Sequence, residues 1–473
     1  MQIYKQLIFL YSILFFLSQS IIIFSTPGDL DITFNSTGSV VTNVGAAVGK
    51  NNAARAVVID DSNNFVVAGT NGIDFALARY TSAGVLDGTF GTAGTVVTGM
   101  GGANDVAYGV AIQSDGKIVA AGTDGAHFAL ARYTTAGVLD TSFGTIGKTI
   151  TTIGVSTSSI AYGIAITSSD NIIVAGTDGT QIVVAKYFGT GVSAGTLDPS
   201  FGSSGIRTTT IGATAIGYAL SIQADGKIVV AGSSGNDFVV ARYTTSGNLD
   251  TTTFGSGFGY VITNLPNAAA AYAITLQTDG KIVVSGKSGS NFGVARYTTA
   301  GVLDPSFGAG AGYVTTNISG TDVSYGIKVQ TNGAIVAVGK SANNFVAVRY
   351  TTTGALDTTF GGGTGKVSTD MGGTDVAYAC VINSSGNILL VGSDGSNFAL
   401  AQYTTNGILN TAGFGSGTGK VITNIGTGTI DGARACAIQL DGKVVVVGLS
   451  ANNFAVLRYT INGVLDTRGY CYN

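Results

Sequence analysis

The chain has 473 residues, a formal net charge of −3, 72 glycines, four prolines, one histidine and no tryptophan; its 26 acidic residues are all aspartate. Only 10% of residues are charged, against about 25% in an ordinary soluble domain. Strong helix formers are scarce and β-branched and aromatic residues abundant, which excludes coiled coils, helical bundles and charged disordered chains. The low proline count without a Gly-X-Y period excludes collagen, and no basic cluster offers a footprint for nucleic acid.

The first element is apolar. After Lys5, residues Leu7 to Leu17 are apolar apart from Ser12, the length of a secretory h-region. Ser18, Ser20 and Ser25 supply small residues for cleavage, so residues 1–25 read as a signal peptide. The alternative is an uncleaved anchor, because Ile21–Phe24 prolongs the apolar stretch. Either reading places the rest of the chain outside the cytoplasm, secreted or at the cell envelope. Three cysteines (Cys380, Cys436 and Cys471) make no disulfide framework. Cys380 and Cys436 share one repeat position with Val110, Ile164 and Leu220, and read as small buried apolar side chains.

Beyond the leader, one unit recurs. The tyrosine of "FALARYT" stands at Tyr80, Tyr133, Tyr187, Tyr243, Tyr297, Tyr350, Tyr403 and Tyr459, at intervals of 53 to 56 residues. "AYGVAIQSDGKIVAAGT" (107–123) reads as two strands around Asp115-Gly116, and "HFALARYTTAGVLDTSF" (127–143) as a second hairpin turning at Gly137. A fifth run, such as "GKVITN" (419–424), is either a strand of its own or a continuation of the outer one. Eight units of about 54 residues predict an all-β, eight-bladed β-propeller spanning residues 28–473. The repeats are centred on 54–98, 107–151, 161–209, 218–263, 271–316, 325–369, 378–423 and 434–473. The last lacks a "GxVxTN" run, so Gly38–Val44 is expected to complete it and close the ring, as a monomer. A mean hydropathy of +0.38 raises a transmembrane barrel, but the runs are five to seven residues long and apolar on both faces, unlike barrel strands.

"LARYTTAGVLDTSFG" together with "AYGVAIQSDGKIVAAGT" resembles the delta-60 repeat family of tandem propeller repeats, found in exported, mostly bacterial proteins. The resemblance implies a propeller and export. It carries no catalytic motif and implies no cofactor.

Two repeated features are candidate sites. Centring the second hairpin's loop on Ser82-Ala83-Gly84 sets Arg79 opposite Asp87. The same spacing recurs at Arg132/Asp140, Arg242/Asp250, Arg296/Asp304, Arg349/Asp357 and Arg458/Asp466. A longer loop gives Lys186/Asp198, and both charges vanish together at Gln402/Asn410. These read as structural pairs pinning each hairpin rather than as a ring of ligand charges. The second feature is Tyr108, Tyr162, Tyr218, Tyr272, Tyr325 and Tyr378, which open one strand in six units, with Arg55 and Arg434 replacing them in units one and eight. If that strand is innermost, these eight side chains lie near one mouth of the channel and suit a sugar, a peptide or an anionic group. The plainer alternative has the tyrosines packing between blades.

Catalytic chemistry finds little. His127, the single histidine, reads as a loop residue; Asp105, Asp322 and Asp375, ahead of the "VAYG"-type strand, read as turn residues. No D-x-D-x-D-G loop and no GxxxxGK[ST] motif occurs, so no metal or nucleotide is expected. The reading is therefore an exported, non-catalytic propeller that binds or displays an unknown protein or carbohydrate ligand. The alternative is a secreted hydrolase or lyase acting on polysaccharide or peptide at a channel mouth.

Overall fold

The fold is known from a computed structural model, which describes residues 30–31, 33–45, 52–156, 158–426 and 431–460. Eight four-stranded antiparallel sheets form a ring, an eight-bladed β-propeller. In blade 2 the strands, from the axis outward, are Val106–Ile112, Ile118–Thr123, Phe128–Tyr133 and Lys148–Thr151. Blades 1 and 3 to 7 repeat this order. Blade 8 takes Asp431–Ile438, Val444–Ser450 and Asn453–Tyr459 from the end of the chain, and its outer strand, Ser39–Thr42, from the beginning. Ser39 pairs with Leu457 and Thr42 with Phe454. The proposed leader, residues 1–25, lies outside the described residues.

The second and third strands are buried on both faces because each sheet is covered by the next. Val119, Phe128 and Leu130 of blade 2 pack on Ile172, Val174 and Val183 of blade 3. At the seam, Phe34 and Val44 join Val445 and Phe454 of blade 8 to Phe65 and Val67 of blade 1. A hydrogen bond repeats at every junction. The fully buried third-strand tyrosines reach a threonine on the preceding blade's outer strand: Tyr133 Oη donates to Thr98 at 2.9 Å, and Tyr80 Oη to Thr42 at 2.7 Å across the seam. Burial of these phenols pushes their pKa upward, with the threonine bond pulling weakly the other way.

Two expectations need correction. The second hairpin is not a two-stranded ladder. Thr81 N–H donates to Val85 as the loop centring requires, but strand pairing after it shrinks to a single bridge between Tyr80 and Leu86. The "GxVxTN" run is the fourth strand and takes the third strand's free edge, with Phe75 opposite Thr98. The reason is the turn that intervenes: Asp87 Oδ1 accepts from the Thr89 N–H, and Gly91 and Gly94 adopt positive φ, folding the chain back. Closure also draws on more of the N-terminus than Gly38–Val44. Leu30 bridges to Tyr459, Asp31 N–H donates to the Arg458 carbonyl, and Phe34 packs in the seam. Residues 30–44 thus supply blade 8 with both its return loop and its outer strand.

Candidate functional site

Two constructions meet the repeated residues, one between blades and one around the axis.

The first is built on the charged pairs. Arg79–Asp87, Arg132–Asp140, Lys186–Asp198, Arg242–Asp250, Arg296–Asp304 and Arg349–Asp357 lie 2.8–3.0 Å apart, in largely buried positions. In blade 7 the neutral substitutes still meet, with Asn410 Nδ2 donating to Gln402 Oε1 at 2.7 Å. In blade 8, Asp466 lies outside the described residues, and Arg458 pairs with Asp31 at 2.7 Å. Residues 28–38 repeat the "GVLDGTFGTAG" pattern of 84–94, so the N-terminal copy fits the same socket.

Sequence spacing found the pairs but missed their reach. Each arginine lies over a phenylalanine of its own blade, from Arg242 over Phe254 at 4.4 Å to Arg79 over Phe90 at 4.8 Å. The same guanidinium donates to a carbonyl in the next blade: Arg79 to Thr135, Arg132 to Gly189, Arg242 to Thr299, and Arg458 to Ser82. The phenylalanine in turn sits on that blade's loop glycine. A Cβ on Gly137, at φ +74°, would stand 2.7 Å from the Phe90 ring. The pair is therefore a latch between blades as well as a pin within one. For blade 7 the position equivalent in sequence to Thr135 is Ile461, outside the described residues.

The aspartates of these latches are held below their ordinary pKa. Burial alone would raise Asp250, but hydrogen bonds from Thr253 and Thr252 and the Arg242 charge outweigh it, leaving a value of about 2. Asp304 is likewise at about 2, and Asp31, Asp87, Asp140, Asp198 and Asp357 move the same way. A group whose folded pKa is depressed stabilises the fold above its unfolded value and loses that contribution as pH falls through the folded one. Melting temperature should therefore hold from pH 7 to about 5, then fall steeply from about 4 towards 2. Asp105 and Asp375 are shifted upward, chiefly by burial, and oppose this trend weakly. A melting curve as flat at pH 3 as at pH 6 would refute the assignment.

The second construction lines the channel. Each inner strand carries a bulge: Ala107 pairs with Gly122 and Gly109 with Ala121, leaving Tyr108 as the extra residue. Gly122 makes this possible, because a Cβ there would lie 1.8 Å from the Val106 carbonyl oxygen. The tyrosines thus sit at the bulge and do not open the strand as expected; Tyr108 is the third residue of Val106–Ile112. They meet one another around the axis. Ring centroids are 5.4 Å apart for Tyr108–Tyr162, then 5.8, 5.1, 5.9 and 5.6 Å through Tyr218, Tyr272 and Tyr325 to Tyr378. Arg55 lies over Tyr108 at 5.1 Å and Arg434 over Tyr378 at 5.0 Å. Since blades 8 and 1 are neighbours, the eight side chains complete a ring at the level of the bulges. The six tyrosines are half-buried. Burial followed by the neighbouring phenols raises the pKa of Tyr162 and Tyr272.

The remaining candidates have local duties. His127 Nδ1 lies 2.9 Å from Asp124 Oδ2, as Asn397 Nδ2 does from Asp394, so the histidine staples its own loop. Asp105 and Asp375 are fully buried and accept the backbone N–H of Met100 and Met371 at 2.6 Å; Asp322 accepts that of Ile318 at 2.7 Å. Each pins the linker entering its blade. Cys380 is buried and Cys436 half-buried; both thiols are free and pushed up to about 12 by burial. Cys471 lies outside the described residues.

Comparison with known proteins agrees with the architecture. Residues 113–143, 223–252, 277–307, 330–360 and 439–468 each match the family described as "Domain of unknown function (DUF5122) beta-propeller", so the units are repeats of a β-propeller family. No curated protein matches the chain. Similar solved structures include virginiamycin B lyase from Staphylococcus aureus, at 12% identity and TM-score 0.45, covering 74% of this chain and 94% of that one. YCF48 from Cyanidioschyzon merolae is similar at 8% identity and TM-score 0.43, over 87% and 97% of the two chains. The WD40 propeller domain of Doa1 is similar at 12% identity and TM-score 0.40, over 75% and 94%.

Proposed function

We propose that the chain is an exported, non-catalytic binding module of the delta-60 repeat type, and that its ligand enters the channel mouth bearing the tyrosine–arginine ring. One observation carries this reading: eight side chains from eight blades converge on one ring, six of them aromatic and two cationic. Aromatic faces with polar tips are the side chains that recognition surfaces favour. Eight near-identical blades also suit display better than catalysis, which needs particular blades to depart from the repeat. The hydrolase or lyase reading gains no support from His127, whose ring is engaged with Asp124 in a loop.

Glycan and peptide arrays probed with the full chain would identify ligands. Tyr218→Ala combined with Tyr272→Ala, the closest ring pair at 5.1 Å, should weaken the strongest hit at least tenfold with the melting temperature nearly unchanged. Undiminished binding by that double variant would place the ligand site elsewhere.

A further inference from the structure

Within that ring the two arginines are unlike every other arginine just described. The latch arginines each have a carboxylate, a backbone carbonyl and a ring. Among the described residues, Arg55 and Arg434 have only the ring beneath them and no ion pair or hydrogen bond from the guanidinium. Arg55 is half-buried and its Nε is fully buried without an acceptor. Arg434 is exposed. Both stand at the seam, one on each side, so two like charges fill the gap between the two ends of the aromatic arc. Uncompensated neighbouring cations repel, and an oxyanion between them relieves that repulsion.

The tyrosines indicate what carries the oxyanion. The third-strand phenols all reach threonine hydroxyls, whereas among the described residues the six channel phenols make no hydrogen bond to protein. Their hydroxyls are thus available. A ligand rich in hydroxyls complements them better than a peptide or an acyl chain does. An octagon with these spacings has opposite centroids roughly 14 Å apart, and the van der Waals extent of the facing side chains narrows the opening to about half of that, so that only a single extended chain enters, end-on.

Resting on the channel reading, we propose that the ligand is an acidic saccharide: its carboxylate or sulfate is held between Arg55 and Arg434, and its sugar ring lies against the adjoining tyrosines.

The test is titration of the full chain by calorimetry and by tyrosine fluorescence, which no tryptophan masks. The probes are tetragalacturonate, its methyl ester, a sulfated carrageenan tetrasaccharide that carries no carboxylate, hexa-aspartate and sodium sulfate. The proposal expects one of the two acidic saccharides to bind, distinguishing carboxylate from sulfate, with affinity falling as salt rises. The methyl ester should bind at least tenfold more weakly. Arg55→Gln and Arg434→Gln should each cost at least tenfold, and Arg434→Lys should recover only part, since lysine keeps the charge without the planar fork. If the Arg55 variant fails to fold, the exposed Arg434 pair decides alone. Equal binding of ester and acid, or indifference to both arginine variants, overturns the proposal. Tyr218→Ala then separates the two readings: if it still weakens the neutral sugar, the channel site stands. Preference for hexa-aspartate, or sulfate alone binding as tightly as the saccharides, overturns the saccharide assignment. Binding of no probe overturns it as well, and the channel reading falls with it only if the arrays are also blank.

Discussion

Deletion of residues 1–44 should cost the propeller far more than the share of its mass. Blade 8 would lose its outer strand, leaving the Asn453–Tyr459 edge unpaired. Arg458 would lose Asp31, its buried partner at 2.7 Å; breaking such pairs costs roughly 3–5 kcal/mol. Phe34, fully buried and stacked on Phe65 at 5.8 Å, would leave a cavity between blades 8 and 1, worth about another 3 kcal/mol. The tie from Tyr80 to Thr42 would go too. Together these rival the whole stability of many domains. The truncated chain is expected to melt at least 10 °C lower and to aggregate. The control is a chain nicked at the exposed loop around Val192, which keeps every strand. An open stack of repeats would lose about one interface on truncation. Equal melting of truncated and nicked chains would therefore overturn the importance of the seam.

The second large effect lies in one latch. Asp250→Asn removes the charge facing Arg242, a guanidinium only 3% exposed that also contacts Thr253, Thr299 and the Phe254 ring. The expected loss is roughly 3 kcal/mol, the lower end for a broken buried pair. Adding Arg242→Gln should return part of it, because the double variant reproduces the neutral pair that blade 7 already holds at 2.7 Å. Recovery should stay incomplete, since glutamine lacks the guanidinium nitrogens that reach Thr253 and the charge that lies over the Phe254 ring. Denaturant unfolding of the two singles and the double closes the cycle. Strict additivity would mean the two residues do not act as a pair.

Much of this was legible before any coordinates. A unit repeating every 53 to 56 residues, with strand-forming runs and glycine-marked turns, specifies blades because such features are local. The arginine–aspartate register was legible too: a three-residue loop at Ser82-Ala83-Gly84 leaves one pairing, and the Thr81 to Val85 hydrogen bond follows it. The channel residues showed themselves as an aromatic position replaced by arginine in the first and last units alone.

What only the tertiary structure decided are relations between chain segments far apart in sequence. Which run becomes the fourth strand depends on which edge remains free after the Asp87 turn, a competition that spacing cannot rank. The donation from Arg79 to Thr135 spans two blades, and no periodicity within one repeat announces it. The partner of Arg458 is the sharpest case. The aspartate bonded to it is Asp31, 427 residues away in sequence. Asp31 stands in a copy of the motif that follows each third strand, and ring closure brings it to blade 8, against Arg458.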